Sequence, residues 1–176
     1  RDFLRATAAV ATSIILPRQV MAALAKIKKP IKLGMIADLH QDVMHDGPAR
    51  LKAFLDAMKE EKPDALVQLG DFAYPTKKND GVKKAFEKAH PRTLHVLGNH
   101  EIDGGHSFDK VAELWGMKGR YYTENIGGLD LVVLDANEKP KNHKGGYPAH
   151  IGKKQLDWLA KQLKILKGPI LIISHQ

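Results

Sequence analysis

Four short apolar runs are spaced along the chain, at residues 31–37, 65–69, 93–97 and 169–173. Each run is bounded by glycine, proline or polar residues, a pattern that predicts a buried β-strand. Directly after these runs come side chains able to bind a metal ion or react: Asp38 and His40, Asp71, Asn99 and His100, and His175. Because ligands gather at the carboxyl ends of strands in open α/β sheets, we expect these side chains to converge.

Apolar residues at helical spacing fill most of the intervals between these strands. They predict helices at 49–62, 82–89, 108–115 and 153–166. Segments 120–124 and 129–134 flank two glycines and predict a β-hairpin. This alternation indicates an α/β fold, with a sheet flanked by helices. Segments 74–81 and 136–151 are predicted as loops, and the second is long enough to be expected in function.

The first 25 residues differ from the rest of the chain. The segment begins with the charged residues Arg1, Asp2 and Arg5, continues with a short apolar stretch and ends with small residues near Ala25. This order predicts an export signal. Residues 1–5 also resemble the tail of a twin-arginine export motif. The alternative is an amphipathic helix packed on the domain. We therefore predict a folded domain at 26–176 and a bacterial periplasmic or extracellular location.

Composition narrows the possible chemistry. A chain of 176 residues that is 43% hydrophobic and 27% charged fits one soluble domain. The absence of cysteine excludes disulfides, thiolate metal sites and cysteine nucleophiles. The formal charge of +8 can attract anionic substrates or surfaces, although a solvated lysine surface is the favoured interpretation. Its basic residues are scattered, without an arginine–aromatic stripe, so nucleic-acid binding is not expected. No apolar stretch is long enough to span a bilayer, and nothing indicates an oligomeric state.

The strand-end residues have both a metal-binding and a structural interpretation. Asp38 and His40 are two positions apart on a predicted extended turn, a spacing that points both side chains to one face. Carboxylate and imidazole together suit Zn, Mn or Fe better than Mg. Alternatively, Asp38 or Asp71 could cap a helix, and Asn99 could occupy a left-handed turn. A lone histidine is more often structural.

The order of these motifs resembles that of the calcineurin-like metallophosphoesterases. Their pattern is D-x-H, G-D, G-N-H-D/E, a strand-end His and then G-H-x-H. The first four are present, and they end at His175. The fifth is absent, so we expect a domain truncated at its C-terminus. The resemblance covers residues 31–176 and implies about half of the αββα sandwich of this family.

The resemblance also implies a mechanism. Two divalent or trivalent transition metals (Fe, Mn or Zn) would be held by Asp38, His40 and Asp71 at the first site, and by Asp71, Asn99 and His175 at the second. Asp71 would bridge the metals with its two oxygens, and a bridging hydroxide would attack the phosphorus of a small-molecule phosphomonoester or phosphodiester. Asn99 and His100 would contact the substrate. His100 would protonate the leaving oxygen, with Glu101 able to orient it.

Some residues and functions remain open at this stage. Tyr74 completes a G-D-x-x-Y that resembles the purple acid phosphatases, although the D-x-H start resembles class III cyclic-nucleotide phosphodiesterases more. We expect a surface or loop position for the other histidines, which are His45, His90, His95, His106, His143 and His150. Among these, His106 and His150 are candidates for the cleft. The rival functions are a non-catalytic metal-binding or scaffold domain, a pyrophosphatase, and an inactive fragment of a longer phosphoesterase.

Overall fold

A computed structural model describes residues 17–176, so most of the predicted export signal lies outside the described residues. The described part begins with helix α1, Arg18–Leu24, which buries none of its residues. Val20, Met21 and Leu24 are instead exposed. The described part of residues 1–25 thus has no buried face, and the rest of the amphipathic-helix alternative lies outside the described residues. Within 17–176, every helix is too short or too polar to cross a membrane.

The strands form two three-stranded sheets. The first sheet has the order β1-β2-β3 and is parallel throughout, whereas in the second β4 pairs antiparallel with β5 and β5 pairs parallel with β6. The strands are β1 Leu33–Ile36, β2 Ala65–Gln68, β3 Thr93–His95, β4 Tyr122–Ile126, β5 Leu129–Val133 and β6 Ile170–Ile173. The sequence predicts a sheet flanked by helices, whereas the structure has two sheets, and β6, which precedes His175, belongs to the second.

The predicted helices are all present, with bounds shifted by one or two residues. They are α2 Gly47–Glu61, α3 Asp80–Ala89, α4 Phe108–Leu114 and α5 Lys153–Ile165. The α2 helix begins earlier than predicted because Pro48 fits its first turn, and it ends at Lys62 in a left-handed conformation. Segment 74–81 is not all loop, because it contains a 3₁₀ turn, Lys77–Asn79, and the start of α3.

Two hydrophobic clusters hold the layers together. On one face of the first sheet, Leu51 of α2, Phe86 of α3 and Val111 of α4 pack around Leu66 of β2. The alternating residue Val67 faces the other way, as the two-residue period of a strand requires. The second cluster joins the sheets and contains Ala65, Val67, Leu94, Val96, Tyr122, Ile126, Leu131 and Val133. The first sheet thus has helices on one face and the second sheet on the other, which confirms the predicted α/β sandwich.

The surface position expected for His95 is wrong. This histidine of β3 is only 4% exposed. Its ring stacks on Trp115 at 4.6 Å between centroids and meets Phe86 edge-on. An imidazole can pack among aromatic rings in its neutral form, and burial lowers the pKa of His95 to about 3. It is therefore part of the core that faces the helices.

Candidate metal centre

The loops that follow β1 and β2 bring the first ligands together. Asp38, His40 and Asp71 have φ values of 54°, 47° and 53°, so all three lie in the left-handed region. The predicted extended turn at Asp38 and His40 is therefore wrong. Left-handed backbone costs about 1–2 kcal/mol per non-glycine residue. The two loops hold one another in it, because His40 N–H donates to the Asp71 carbonyl at 2.8 Å and Asp38 N–H donates to the Gly70 carbonyl at 3.1 Å.

A single oxygen of Asp71 is the centre of the site. Its Oδ2 lies 3.2 Å from His175 Nε2, 3.6 Å from His40 Nε2 and 3.9 Å from His100 Nε2. The other oxygen, Oδ1, instead accepts a hydrogen bond of 2.8 Å from the His100 backbone N–H. Bridging of two metals by both oxygens of Asp71 stays a prediction, because a carboxylate oxygen that accepts one hydrogen bond keeps a second lone pair. Oδ2 is the oxygen that the imidazoles surround.

Two groups of side chains have ligand atoms within 4.8 Å of one another: His40, Asp71 and His100, and Asp38, Asp71 and His175. Asp38 Oδ1 is also 3.5 Å from His40 Nε2, so the predicted trio of Asp38, His40 and Asp71 is within reach as well. Strands of both sheets contribute to this cluster. The predicted convergence of Asp38, His40, Asp71 and His175 is thus the geometry that the structure has.

The ring of His175 is oriented for metal binding. Its Nδ1 lies 2.8 Å from the Leu69 carbonyl, an acceptor, so Nδ1 carries the proton and Nε2 faces Asp71. Hydrogen bonding to Asp71 raises the pKa of His175 to about 9. Burial would raise the pKa of Asp71, but hydrogen bonds from His175 and the His100 backbone bring it below its usual value. A cation at Nε2 would replace a proton that is already strongly attracted there.

Asn99 directly precedes His100 in the chain and is only 6% exposed. Its φ of −82° excludes the left-handed turn that was the alternative for this residue. The side-chain oxygen of Asn99 accepts a hydrogen bond from the Gln176 amide. An amide oxygen is a ligand that a second cation could use. The role of Asn99 as a ligand stays a prediction.

Both nitrogens of His100 have partners. Its Nδ1 lies 2.6 Å from Asp103 Oδ2, and its Nε2 lies 3.0 Å from the Tyr147 hydroxyl. The expectation that Glu101 orients His100 is wrong. Glu101 is buried, and its Oε1 accepts a hydrogen bond of 3.0 Å from the Phe72 backbone N–H. Burial raises the pKa of Glu101 to about 7.

Comparison with known proteins agrees with this arrangement. Residues 31–176 match the family model of the calcineurin-like phosphoesterases. The chain belongs to this family. It is therefore a metal-dependent hydrolase that acts on phosphoester bonds.

A solved structure described as a dimetal phosphatase from Danio rerio is similar in fold, with a TM-score of 0.60 and 18% sequence identity. The similarity covers 82% of this chain and 69% of that one. At this identity the likeness supports the metallophosphoesterase fold alone. Comparison with curated protein sequences gives no significant match.

Glycine is required at two positions of this calcineurin-like phosphoesterase. A Cβ at Gly98 would collide with Asp71 Oδ1 and lie 2.7 Å from Glu101 Oε2. Gly70 has a φ of +98°, and a Cβ there would lie 2.6 Å from His175 Nδ1. The glycines of G-D and G-N-H-E therefore allow the strand ends to approach closely. This is the physical reason for those two motif positions.

The remaining candidates differ in their position relative to the phosphoesterase site. Tyr74 lines the same small pocket as His40 and His100, and burial raises the pKa of its hydroxyl. His150 pairs with Asn137 in an isolated parallel bridge. His106 lines a separate cleft. Neither His106 nor His150 belongs to the groups of metal-ligand type found within 17–176.

Sequence reasoning missed Asp103 and Tyr147, which contact both nitrogens of His100. The only available signal for Asp103 was its spacing, since a carboxylate three residues after His100 can turn back to it within a single helical turn. The signal for Tyr147 was weaker still, because it lies in the long loop 136–151, whose path the sequence does not fix.

Neither Asp38 nor Asp71 supplies the N-cap of any helix in the described part of the chain. The Asp71 carboxylate does accept a hydrogen bond from the backbone N–H of His100, the first residue of the 3₁₀ turn His100–Ile102. Asp71 follows β2, however, whereas this turn follows β3. The alternative that Asp38 or Asp71 caps a helix is therefore wrong.

Proposed function

We propose that this protein hydrolyses small-molecule phosphomonoesters or phosphodiesters at a site for two transition-metal ions, Fe, Mn or Zn. The observation that carries the proposal is Asp71 Oδ2, which three imidazoles surround at 3.2–3.9 Å. Nitrogen and carboxylate oxygen together are the donor set of these metals rather than of Mg.

In this proposal Asp38, His40 and Asp71 hold one ion, and Asp71, Asn99 and His175 hold the other. The donor set fits, because each histidine directs Nε2 toward the shared carboxylate oxygen. When bound, the ions would polarise the phosphoryl group and supply a hydroxide nucleophile at neutral pH. Gly70 and Gly98 keep the space beside Asp71 and His175 free for this arrangement.

His100 would protonate the leaving oxygen. Its Nδ1–H donates to Asp103 Oδ2 at 2.6 Å, which fixes the orientation of the ring. The opposite nitrogen, Nε2, then faces the cluster and can pass a proton to the departing alkoxide. In this scheme Asp103 is a positioning residue, since it acts only through His100.

The test combines metal analysis with hydrolysis. The purified protein is loaded with Zn, Mn or Fe, its metal content is measured, and mono-, di- and pyrophosphate esters are assayed in parallel. We expect close to two ions per chain, hydrolysis of at least one ester class, and loss of both after chelation. Bound metal without hydrolysis of any ester would favour the metal-binding or scaffold alternative instead.

We also infer that residues 1–25 form an export signal and that the folded domain is 26–176. The inference rests on the charged start, apolar middle and small-residue end of this segment. N-terminal sequencing of the protein from its native host should begin near Lys26. A cytoplasmic protein that retains these residues would contradict it.

A further inference from the structure

The long loop beside the metal centre is closed at its base. The His150 N–H donates to the Ala136 carbonyl at 2.8 Å, and the Glu138 N–H donates to the His150 carbonyl at 3.2 Å. Asn137 Nδ2 also donates to the Leu97 carbonyl at 3.0 Å, two residues before Asn99. Residues 138–149, which we name the basic loop, are therefore attached directly to the strand end that carries the site.

The basic loop contacts the atom that would serve the leaving group. The hydroxyl of Tyr147 lies 3.0 Å from His100 Nε2, and the two rings meet edge-on at 5.1 Å. Tyr147 is still 55% exposed, so little else holds it. A leaving oxygen that receives a proton from Nε2 must take the place of this hydroxyl. The loop therefore borders the leaving-group side of the site.

The basic loop carries a net positive charge. Lys139, Lys141 and Lys144 are all exposed, and none of them forms an ion pair with a carboxylate of residues 17–176. Its single acidic residue, Glu138, is at the base, where it accepts a hydrogen bond of 3.0 Å from Gln155. Three cationic side chains thus lie within eight residues of Tyr147 along one closed loop.

We propose that the basic loop selects phosphoesters whose leaving group itself carries negative charge. The Tyr147 contact puts the loop next to the departing oxygen, and the unpaired lysines then attract an anionic substituent on that group. This inference rests on the proposed role of His100 on the leaving-group side. A second phosphate or a carboxylate would supply the same attraction.

The test compares aryl phosphates of similar size and similar leaving-group pKa that differ in charge. Suitable substrates are 4-carbamoylphenyl, 4-carboxyphenyl and 4-phosphonophenyl phosphate, whose substituents are neutral, singly and multiply anionic. With the metal-loaded protein we expect kcat/KM to increase in that order, and the preference to shrink as salt is raised. A preference for phosphonate over carboxylate would indicate a phosphorylated leaving group.

Two double variants separate the loop from the general charge of the protein. Lys141→Gln/Lys144→Gln should lower the preference for the anionic leaving groups by about two- to fivefold per lysine, the range of exposed charge pairs. The matched control, Lys28→Gln/Lys88→Gln, removes the same charge from exposed lysines that precede β1 and β3, at the opposite end of the sheet. It should leave the preference unchanged.

Binding to the metal-free protein gives a readout that does not depend on turnover. The amide resonances of Gly145, Gly146 and Tyr147 should shift on addition of 4-carboxyphenyl phosphate and much less with the carbamoyl analogue. Equal kcat/KM values with equal amide shifts for both esters would overturn the inference and leave the proposed hydrolysis intact. Hydrolysis of no ester, with the selective amide shifts present, would instead contradict the proposed function alone.

Discussion

The substitution Asp103→Asn tests how His100 acts. It keeps the size of the side chain but removes the negative charge 2.6 Å from His100 Nδ1. A hydrogen bond to a charged group contributes about 1.5–3 kcal/mol. Because the Asp103 side chain is 43% exposed, solvent screens part of this, and we expect about 1–2 kcal/mol. That corresponds to a loss of roughly 5- to 30-fold in kcat/KM.

The assay measures kcat/KM and metal content together, over a series of esters with increasing leaving-group pKa. His100→Ala should cost about 10²–10⁴-fold, the usual range of a general acid, and most for leaving groups of high pKa. Metal content should be almost unchanged. In the His100→Ala background, Asp103→Asn should have no further effect, because Asp103 acts only through the imidazole.

Asp109→Asn serves as the control, since it removes a carboxylate that is 83% exposed from the nearby α4. It should change kcat/KM by less than about twofold. If Asp103→Asn slows the His100→Ala protein as much as the wild type, the positioning role of Asp103 is wrong. If His100→Ala removes a metal ion, His100 is a ligand in the group with His40 and Asp71, and not the acid.

Three other predictions follow from the described contacts. Asp71→Asn should lose metal and activity together, as measured by elemental analysis and ester hydrolysis, because Oδ2 is the centre of the cluster. Gly98→Ala should lower the free energy of unfolding by about 1–3 kcal/mol and the denaturation midpoint with it, because its Cβ collides with Asp71. Burial holds the pKa of His95 at about 3, below its ordinary 6.5. Protons therefore bind the unfolded chain preferentially as the pH falls below 6.5, and stability should fall by about 1.4 kcal/mol per pH unit down to pH 3. His95→Phe should remove this part of the pH dependence in denaturant titrations.

Each of these predictions can fail clearly. Full metal content in Asp71→Asn would contradict its central position, and an unchanged midpoint in Gly98→Ala would show that Asp71 can move aside. For the pH experiment, His143→Gln is the control, since it changes a partly exposed loop histidine. An equal change of pH dependence in both histidine variants would refute the assignment to His95.

The strands, the helices and four of the ligand positions could be predicted because each depends on local sequence. Apolar runs define β1, β2, β3 and β6, and polar residues directly after them must lie near the strand ends. The sequence could not show that β6 joins the second sheet, because strand pairing depends on the whole fold. For the same reason His95, polar in type, was not recognised as a core residue.

The orientation of individual groups was less predictable than their position. The left-handed backbone at Asp38 and Asp71 depends on hydrogen bonds between two loops that are distant in sequence. The partner of His100 turned out to be Asp103 rather than its neighbour Glu101, because the Glu101 side chain turns inward to the Phe72 N–H. Such choices are decided by competing partners that only the folded chain brings together.

The position of His175 at the end of β6 has a mechanical consequence. Asp38, His40 and Asp71 follow strands of the first sheet, whereas His175 follows a strand of the second. A cation bound to Asp71 and His175 would add a cross-link between two layers whose interface consists mainly of apolar side chains. Metal at 100 times its dissociation constant adds about 2.7 kcal/mol to stability. Hydrogen exchange should then slow in β2 and β6 together when metal is added, so that two sheets open as one cooperative unit.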